Sequence, residues 1–269
     1  MKTFSRIVRF ELIKITSSRV WWVICALVVV VQPILAYIVA KSYAQVGLDA
    51  TPETHPGLAE ALPPLDYIGM ESVLFGLLPI VVFGGIIGAS EFKHHELRTT
   101  LLCQSSRIQV FGAKVIALLV CTTLLSLITI WATISITHVG LGEEGLHPLY
   151  LSTIAWQYIF FAALNWILLT ILSFGIGMLF RNALVPLVFL VPQVYNLGKY
   201  LAQRWEWAEY LPVAAGNLLF ATPTDLFEHD PLKGGMILLI WVMVALGTSY
   251  FTFVRSDVGG SINVRCPPW

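Results

Sequence analysis

Side chains able to do chemistry are few in this chain. His94-His95-Glu96 is the densest run of potential ligands, but adjacent helical positions point about 100° apart and do not converge on one ion. Asp225, Glu228, His229 and Asp230 have the right atoms for an external cation, yet they read more simply as a solvated charged loop. The signatures H-E-x-x-H, G-x-S-x-G and G-x-x-x-x-G-K-[ST] are missing, which removes the entry points for a metalloprotease, a serine hydrolase or a nucleotide-binding protein. No catalytic residue and no bound cofactor are expected, so energy for any active process has to come from another subunit. Cys25, Cys103, Cys121 and Cys266 lack metal-like spacing and are expected to be reduced thiols with a packing role.

The elements that position these residues are membrane spans. The chain has 269 residues, of which 57% are hydrophobic and 12% charged, against about a quarter charged in soluble domains. Six apolar stretches, at about 20–40, 68–90, 111–137, 153–180, 183–201 and 236–254, are each long enough for a hydrocarbon core of about 30 Å. The charges sort by alternate loops. One side collects Lys2, Arg6, Arg9, Lys14, Arg19, Lys93, Arg98, Arg107, Lys114, Arg181, Arg255 and Arg265, which is 12 of the 16 basic residues. The other side holds 12 of the 16 acids, from Asp49 and Glu53 to Glu228 and Asp230. The positive-inside rule then places both termini in the cytoplasm of a multi-pass protein of the cell membrane. No cleavable signal peptide is expected, because the basic start leads into a span without a small-residue cleavage site. The fold class is therefore an all-α integral membrane protein: one transmembrane domain over 1–269, with six spans.

Several segments depart from plain spans. Residues 2–18 align Phe4, Ile7, Val8, Leu12 and Ile15 on one side of an expected amphipathic interfacial helix, although Glu11 intrudes on that stripe and Phe10 and Ile13 fall outside it. Gly84-x-x-x-Gly88 and Gly85-x-x-x-Ala89 permit close helix approach, more often inside one bundle than at a dimer seam. Pro186 and Pro192 should kink the fifth stretch, with Gln193 and Asn196 close by to relieve the freed backbone groups. Asn165 and the Gln32-Pro33 pair are the other polar intrusions. Residues 202–235 form an external segment in which Trp205, Trp207 and Tyr210 suit a membrane interface, and Leu211–Phe220 is too short to span; short re-entrant or interfacial helices are expected. No Asp, Glu, Lys or Arg falls near the middle of a span, which weighs against an ion-coupled carrier.

The cytoplasmic connection 91–110 is the most specific segment. Glu91-Phe92-Lys93-His94-His95-Glu96-Leu97-Arg98-Thr99-Thr100-Leu101-Leu102 reads as a short helix with an apolar face suited to a partner's groove. Ser106-Arg107-Ile108-Gln109 then reads as a capping box opening the third span, followed by Lys114. This layout resembles the permease subunits of type-2 ATP-binding-cassette exporters. Glu91-Phe92-Lys93 matches the opening of their coupling stretch, Leu101-Leu102 its hydrophobic turn, Ser106-Arg107 its helix start and Lys114 its final lysine. Their Gly-Thr pair is replaced by His95-Glu96.

The resemblance implies a permease that couples ATP hydrolysis by separate cytoplasmic ATPase subunits, which bind the ATP and Mg, to export of an amphiphilic substrate such as a peptide antibiotic, drug, lipid or glycolipid. It implies a second permease, identical or homologous, surrounding membrane lipids and no nucleic acid. The coupling residues would be Glu91, Phe92, Lys93, Glu96, Arg98, Leu101, Leu102, Arg107 and Lys114. A substrate path would draw on Phe160, Phe161, Asn165, Trp166, Tyr195 and Asn196, although such residues are also ordinary bundle core. The alternatives are a non-transporting membrane scaffold or assembly protein and, less favoured, the ion-coupled carrier.

Overall fold

The computed structural model describes residues 2–55, 62–90, 92, 106–197, 200–201, 204–220 and 230–255, and every regular element among them is helical. Helix α1 (Lys2–Thr16) is the expected amphipathic element. It stops where serines take over its hydrogen bonding. The Ser18 hydroxyl donates to the Ile15 carbonyl at 2.8 Å and accepts from the Trp21 N–H at 3.1 Å, so one side chain closes α1 and caps α2 (Arg19–Cys25). A π-helical stretch, Ala26–Val31, carries α2 into α3 (Gln32–Val46). Pro33 has no N–H and crowds the carbonyl four residues earlier; wider turns just ahead of it accommodate both defects.

Helices α4 (Leu74–Ser90), α5 (Arg107–Leu141), α6 (Thr153–Phe180) and α9 (Pro231–Arg255) supply further long apolar rods, with α7 (Leu184–Pro192) and α8 (Pro212–Asn217) as short ones between α6 and α9. Among the described residues, five segments are long and apolar enough to cross a membrane: 19–46, 65–90, 107–144, 153–180 and 231–255. The fourth expected span coincides with α6. The third runs longer at both ends, from Arg107 until Gly142 leaves helical geometry at φ 75°.

The stretch read as a fifth span, 183–201, is the one that differs. Among its described residues the apolar helix is Leu184–Tyr195, about 18 Å at the usual rise per residue. Pro192 is followed at once by π-helical turns over Gln193–Leu197, whereas the π-helical turns at Pro33 precede the proline. The turn before it is tight: Arg181 adopts a left-handed conformation at φ 53°, and the Asn182 side chain accepts from the Leu184 N–H at 2.9 Å.

The core lies between α4 and α6, and it works through missing side chains. A Cβ on Gly84 would collide with the Thr170 carbonyl, one on Gly88 with the Phe174 carbonyl, and one on Gly177 would come within 2.6 Å of the Gly85 carbonyl. The Ser173 hydroxyl donates across the same seam to the Val81 carbonyl at 2.6 Å. The small-residue spacing of the second span is therefore used inside one chain. Around this pair pack α5 against α3, α9 against α6, α1 against α5, and α7 against α4 and α6. Large apolar side chains remain outside, including Trp22, Val30, Ile34 and Ile38 on the first span, Leu124 and Ile128 on α5, and Ile240, Met243 and Phe251 on α9. Bands of this size suit hydrocarbon rather than water.

Residues 204–220 make two short helices, Glu206–Tyr210 and α8, in the expected place. Val213, Ala215, Leu219 and Phe220 are buried, whereas Trp205, Trp207 and Tyr210 stay exposed, the two tryptophans stacked at 5.8 Å. Asp230 opens α9, accepting from the Lys233 N–H at 2.9 Å. Asp225, Glu228 and His229 lie outside the described residues, as do His94, His95, Cys103 and Cys266. Among the described residues, Cys25 and Cys121 are free thiols and no group of three or more potential ligands could hold a metal.

Candidate functional site

Three of the nine residues that the resemblance named for coupling, Phe92, Arg107 and Lys114, lie at one end of the bundle, where α1, the start of the first span, the end of α4 and the start of α5 meet. Of the nine named in the sequence, Glu91, Lys93, Glu96, Arg98, Leu101 and Leu102 lie outside the described residues. The other three each reach a different element. Phe92 lies under the Arg181 guanidinium, 4.9 Å from its ring centroid, tying the end of the second span to the turn after α6. Arg107 donates to the Val254 carbonyl at 2.6 Å, satisfying an acceptor in the last turn of α9. Lys114 donates to the Glu11 carboxylate at 2.8 Å.

That last contact changes the reading of α1. Both side chains are only 3% exposed, so two charges have been taken from water at a cost of several kcal/mol each, which their mutual attraction offsets only in good geometry. Glu11, a flaw in the apolar stripe by sequence, marks the side of α1 that faces the protein. Ile15, one turn further, is buried beside it, while Phe10 and Ile13 turn outward at 55% and 54% exposure. A signal was available: an acid in an apolar stripe and a lysine in an apolar span are two misfits of opposite charge. The expected capping box is not formed. Ser106 makes no side-chain cap bond, and α5 starts instead on the backbone, with the Val110 N–H donating to the Ser106 carbonyl at 3.2 Å.

The residues named for a substrate path do not share one lining. Asn165 and Trp166 are buried in the bundle, Phe161 is half-buried, and Phe160 and Tyr195 face outward at 61% and 65% exposure. Asn196 sits in the π-helical turns after Pro192, and its side chain is outside the described set. Phe161 lines a cavity of about 160 Å³ with Tyr67, Met70, Ile154, Gln157, Tyr158 and Phe220. Asn165 faces Gly216 of α8, where a Cβ would collide with its amide oxygen.

Trp166 belongs to a polar junction that sequence reasoning noted only as an intrusion. Gln32 is 2% exposed and donates to the Thr133 hydroxyl at 3.1 Å. Its amide oxygen and the Trp166 ring both crowd the face of Gly76, where a Cβ would meet either. Four spans therefore meet at one side chain, and the Gln32 oxygen has no hydrogen-bond partner among the described residues. Gln193 plays a similar part beside the other π-helical turns: its amide donates to the Phe189 carbonyl at 2.7 Å, and its oxygen accepts from the Val213 N–H of α8 at 3.4 Å.

The family described as ABC-2 family transporter protein matches residues 7–197, from the buried face of α1 through the π-helical turns after Pro192. A relative from Bacillus subtilis (strain 168), the uncharacterized protein YhcI, is 23% identical over 212 residues, 70% of this chain. The match spans 66% of that relative's length, slightly less than two thirds. No solved structure matches.

Proposed function

The chain belongs to the ABC-2 transporter family, and on that premise we propose that it is the membrane permease subunit of an ATP-binding-cassette exporter, paired with a second permease and driven by separate cytoplasmic ATPase subunits. The substrate class is amphiphilic: a peptide antibiotic, drug, lipid or glycolipid. The reading includes six crossings of the cell membrane, with 183–201 as the fifth and both termini on the ATPase side.

The observation that carries the reading is the family match over 7–197, because it takes in α1, the 91–110 connection and the helices these abut. Geometry adds support. Phe92, Arg107 and Lys114 bind the borders of the 91–110 connection to the turn after α6, to α9 and to α1. A push on that connection would be passed to several helices at once, as a transition between two packed arrangements requires. The chain would bind no cofactor itself; ATP and Mg would reside in the partner. Glu91, Lys93, Glu96, Arg98, Leu101 and Leu102 would form the surface the ATPase meets.

The test is co-purification with an ATPase, followed by Glu91→Ala and Arg98→Ala. The expected result is a complex that still assembles but loses substrate-coupled ATPase activity. A chain that purifies without any ATPase, and whose cellular phenotype survives both changes, would instead be a membrane scaffold.

A further inference from the structure

The turn between α6 and α7 holds the one residue other than glycine, among the described residues, whose φ is positive: Arg181, at 53°. The backbone explains the conformation. Helix α6 ends in a Schellman arrangement, with the Asn182 N–H donating to the Gly177 carbonyl at 3.2 Å and the Arg181 N–H to the Met178 carbonyl at 3.3 Å. Such an ending puts one residue in the left-handed region, where glycine carries no steric penalty and asparagine is the usual second choice. Arginine is strained there. The hydrogen bonds of the turn come from its backbone and from the Asn182 side chain, which accepts from the Leu184 N–H. Strain kept at a position that glycine would relieve points to a use for the side chain.

The guanidinium supplies that use. It lies 4.9 Å from the centroid of the half-buried Phe92 ring, at the border of the 91–110 connection. The contact joins this border to the start of α7, which rests on α4 at the same end: a Cβ on Gly85 would come within 2.9 Å of Pro186 and 3.4 Å of the Ala183 carbonyl. Beyond α7, the Gln193 amide oxygen accepts from the Val213 N–H of α8 at 3.4 Å. We propose that Arg181 is a positioning residue of the coupling machinery: its cation, seated on Phe92, makes α7 follow the 91–110 connection, and through Gln193 the external helix α8 follows α7. The inference rests on the exporter reading above. It adds to that reading a second route into the bundle, beside the buried Glu11–Lys114 pair.

The experiment uses the full chain with its co-purified ATPase and follows backbone hydrogen–deuterium exchange over 184–197, with and without ATP plus vanadate, beside the unfolding temperature. Trapped nucleotide is expected to alter exchange over 184–197 in the unaltered complex. Arg181→Gly should assemble and unfold at no lower a temperature, because glycine relieves the left-handed φ. Its nucleotide-dependent change over 184–197 should nevertheless shrink about threefold, the worth of an exposed cation–π contact. Arg181→Lys should keep most of the change. Phe92→Leu should shrink it as Arg181→Gly does, and the two together should add nothing further. A full response in Arg181→Gly, or an equal loss in Arg181→Lys, would make the residue a helix cap alone and overturn the proposal. Should Arg181→Gly not purify, Phe92→Leu against Phe92→Tyr decides on the same readout, since only tyrosine keeps the ring face; equal responses from these two overturn it. If no ATPase co-purifies, the exporter reading fails and this inference with it. If trapped nucleotide alters exchange elsewhere in the chain but not over 184–197, the exporter reading stands and this inference alone falls.

Discussion

Two ion pairs of equal length hold the two ends of this molecule, and they do different work. Lys114–Glu11 and Lys233–Glu209 both measure 2.8 Å. The first joins α1 to α5 with both side chains 3% exposed; the second joins the 206–210 turn to α9 with its partners 42% and 30% exposed. Distance is therefore a poor guide to strength. In the buried pair neither charge has water to fall back on, so the partners depend on each other. In the exposed pair water and salt replace whichever partner is lost. The end where α1 meets α5 is locked by a buried ion pair, and the opposite end is held by packing, with Val213, Ala215, Leu219 and Phe220 buried beneath an exposed aromatic cluster.

Substitutions at the two ends should reproduce that ranking, read as the temperature at which purified protein in detergent loses monodispersity. Glu11→Ala or Lys114→Ala should have the largest effect, about 3–5 kcal/mol, because each breaks a buried ion pair by removing one partner. Glu11→Leu combined with Lys114→Met should recover most of that stability. If the pair also transmits force, the double variant would be stable yet uncoupled from the ATPase proposed above; recovery of both stability and coupling would make the pair purely structural. Gly216→Val, which drives a side chain into the Asn165 amide at the other end, should cost about 1–3 kcal/mol by overpacking. Trp241→Phe keeps the ring packing and removes the bond from the indole N–H to the Tyr210 carbonyl, at 2.8 Å; about 1 kcal/mol is expected. Lys233→Ala should be the mildest, at most about 1 kcal/mol, and high salt should reduce even that. A Lys233→Ala loss equal to that of Glu11→Ala would abolish the distinction between the ends.

Much of the fold was legible because a span announces itself by length and composition. Thr153–Phe180 is the clearest case, with Ser152 capping through the Ala155 N–H at 3.2 Å just where the apolar run begins. The fifth stretch was harder to read, since two prolines and a glutamine in a hydrophobic run fit either a kinked span or a short helix followed by π-helical turns. Of the candidate site, the 91–110 connection was visible as a motif. The residues that join its borders to the bundle were not assigned their partners. Arg107 meets a backbone carbonyl, which no side-chain pattern encodes, and Arg181 meets Phe92 across 89 positions of chain. Gln32 was seen as polar, but only packing brings Thr133, Gly76 and Trp166 to it.

By itself the sequence determined the class of molecule: helices too apolar for water, charges sorted by alternate loops, and a family likeness that extends over 7–197. These are local or additive properties, because hydrophobic transfer and charge placement sum residue by residue. Tertiary structure decided what each exception was for. Glu11 became half of a buried pair, the glycines of the second span became a seam against α6, and the polar residues beside two prolines became junctions between helices. The reason is that burial of a charge or an amide is settled by its partner, and here the partners lie 20, 101 and 103 positions away.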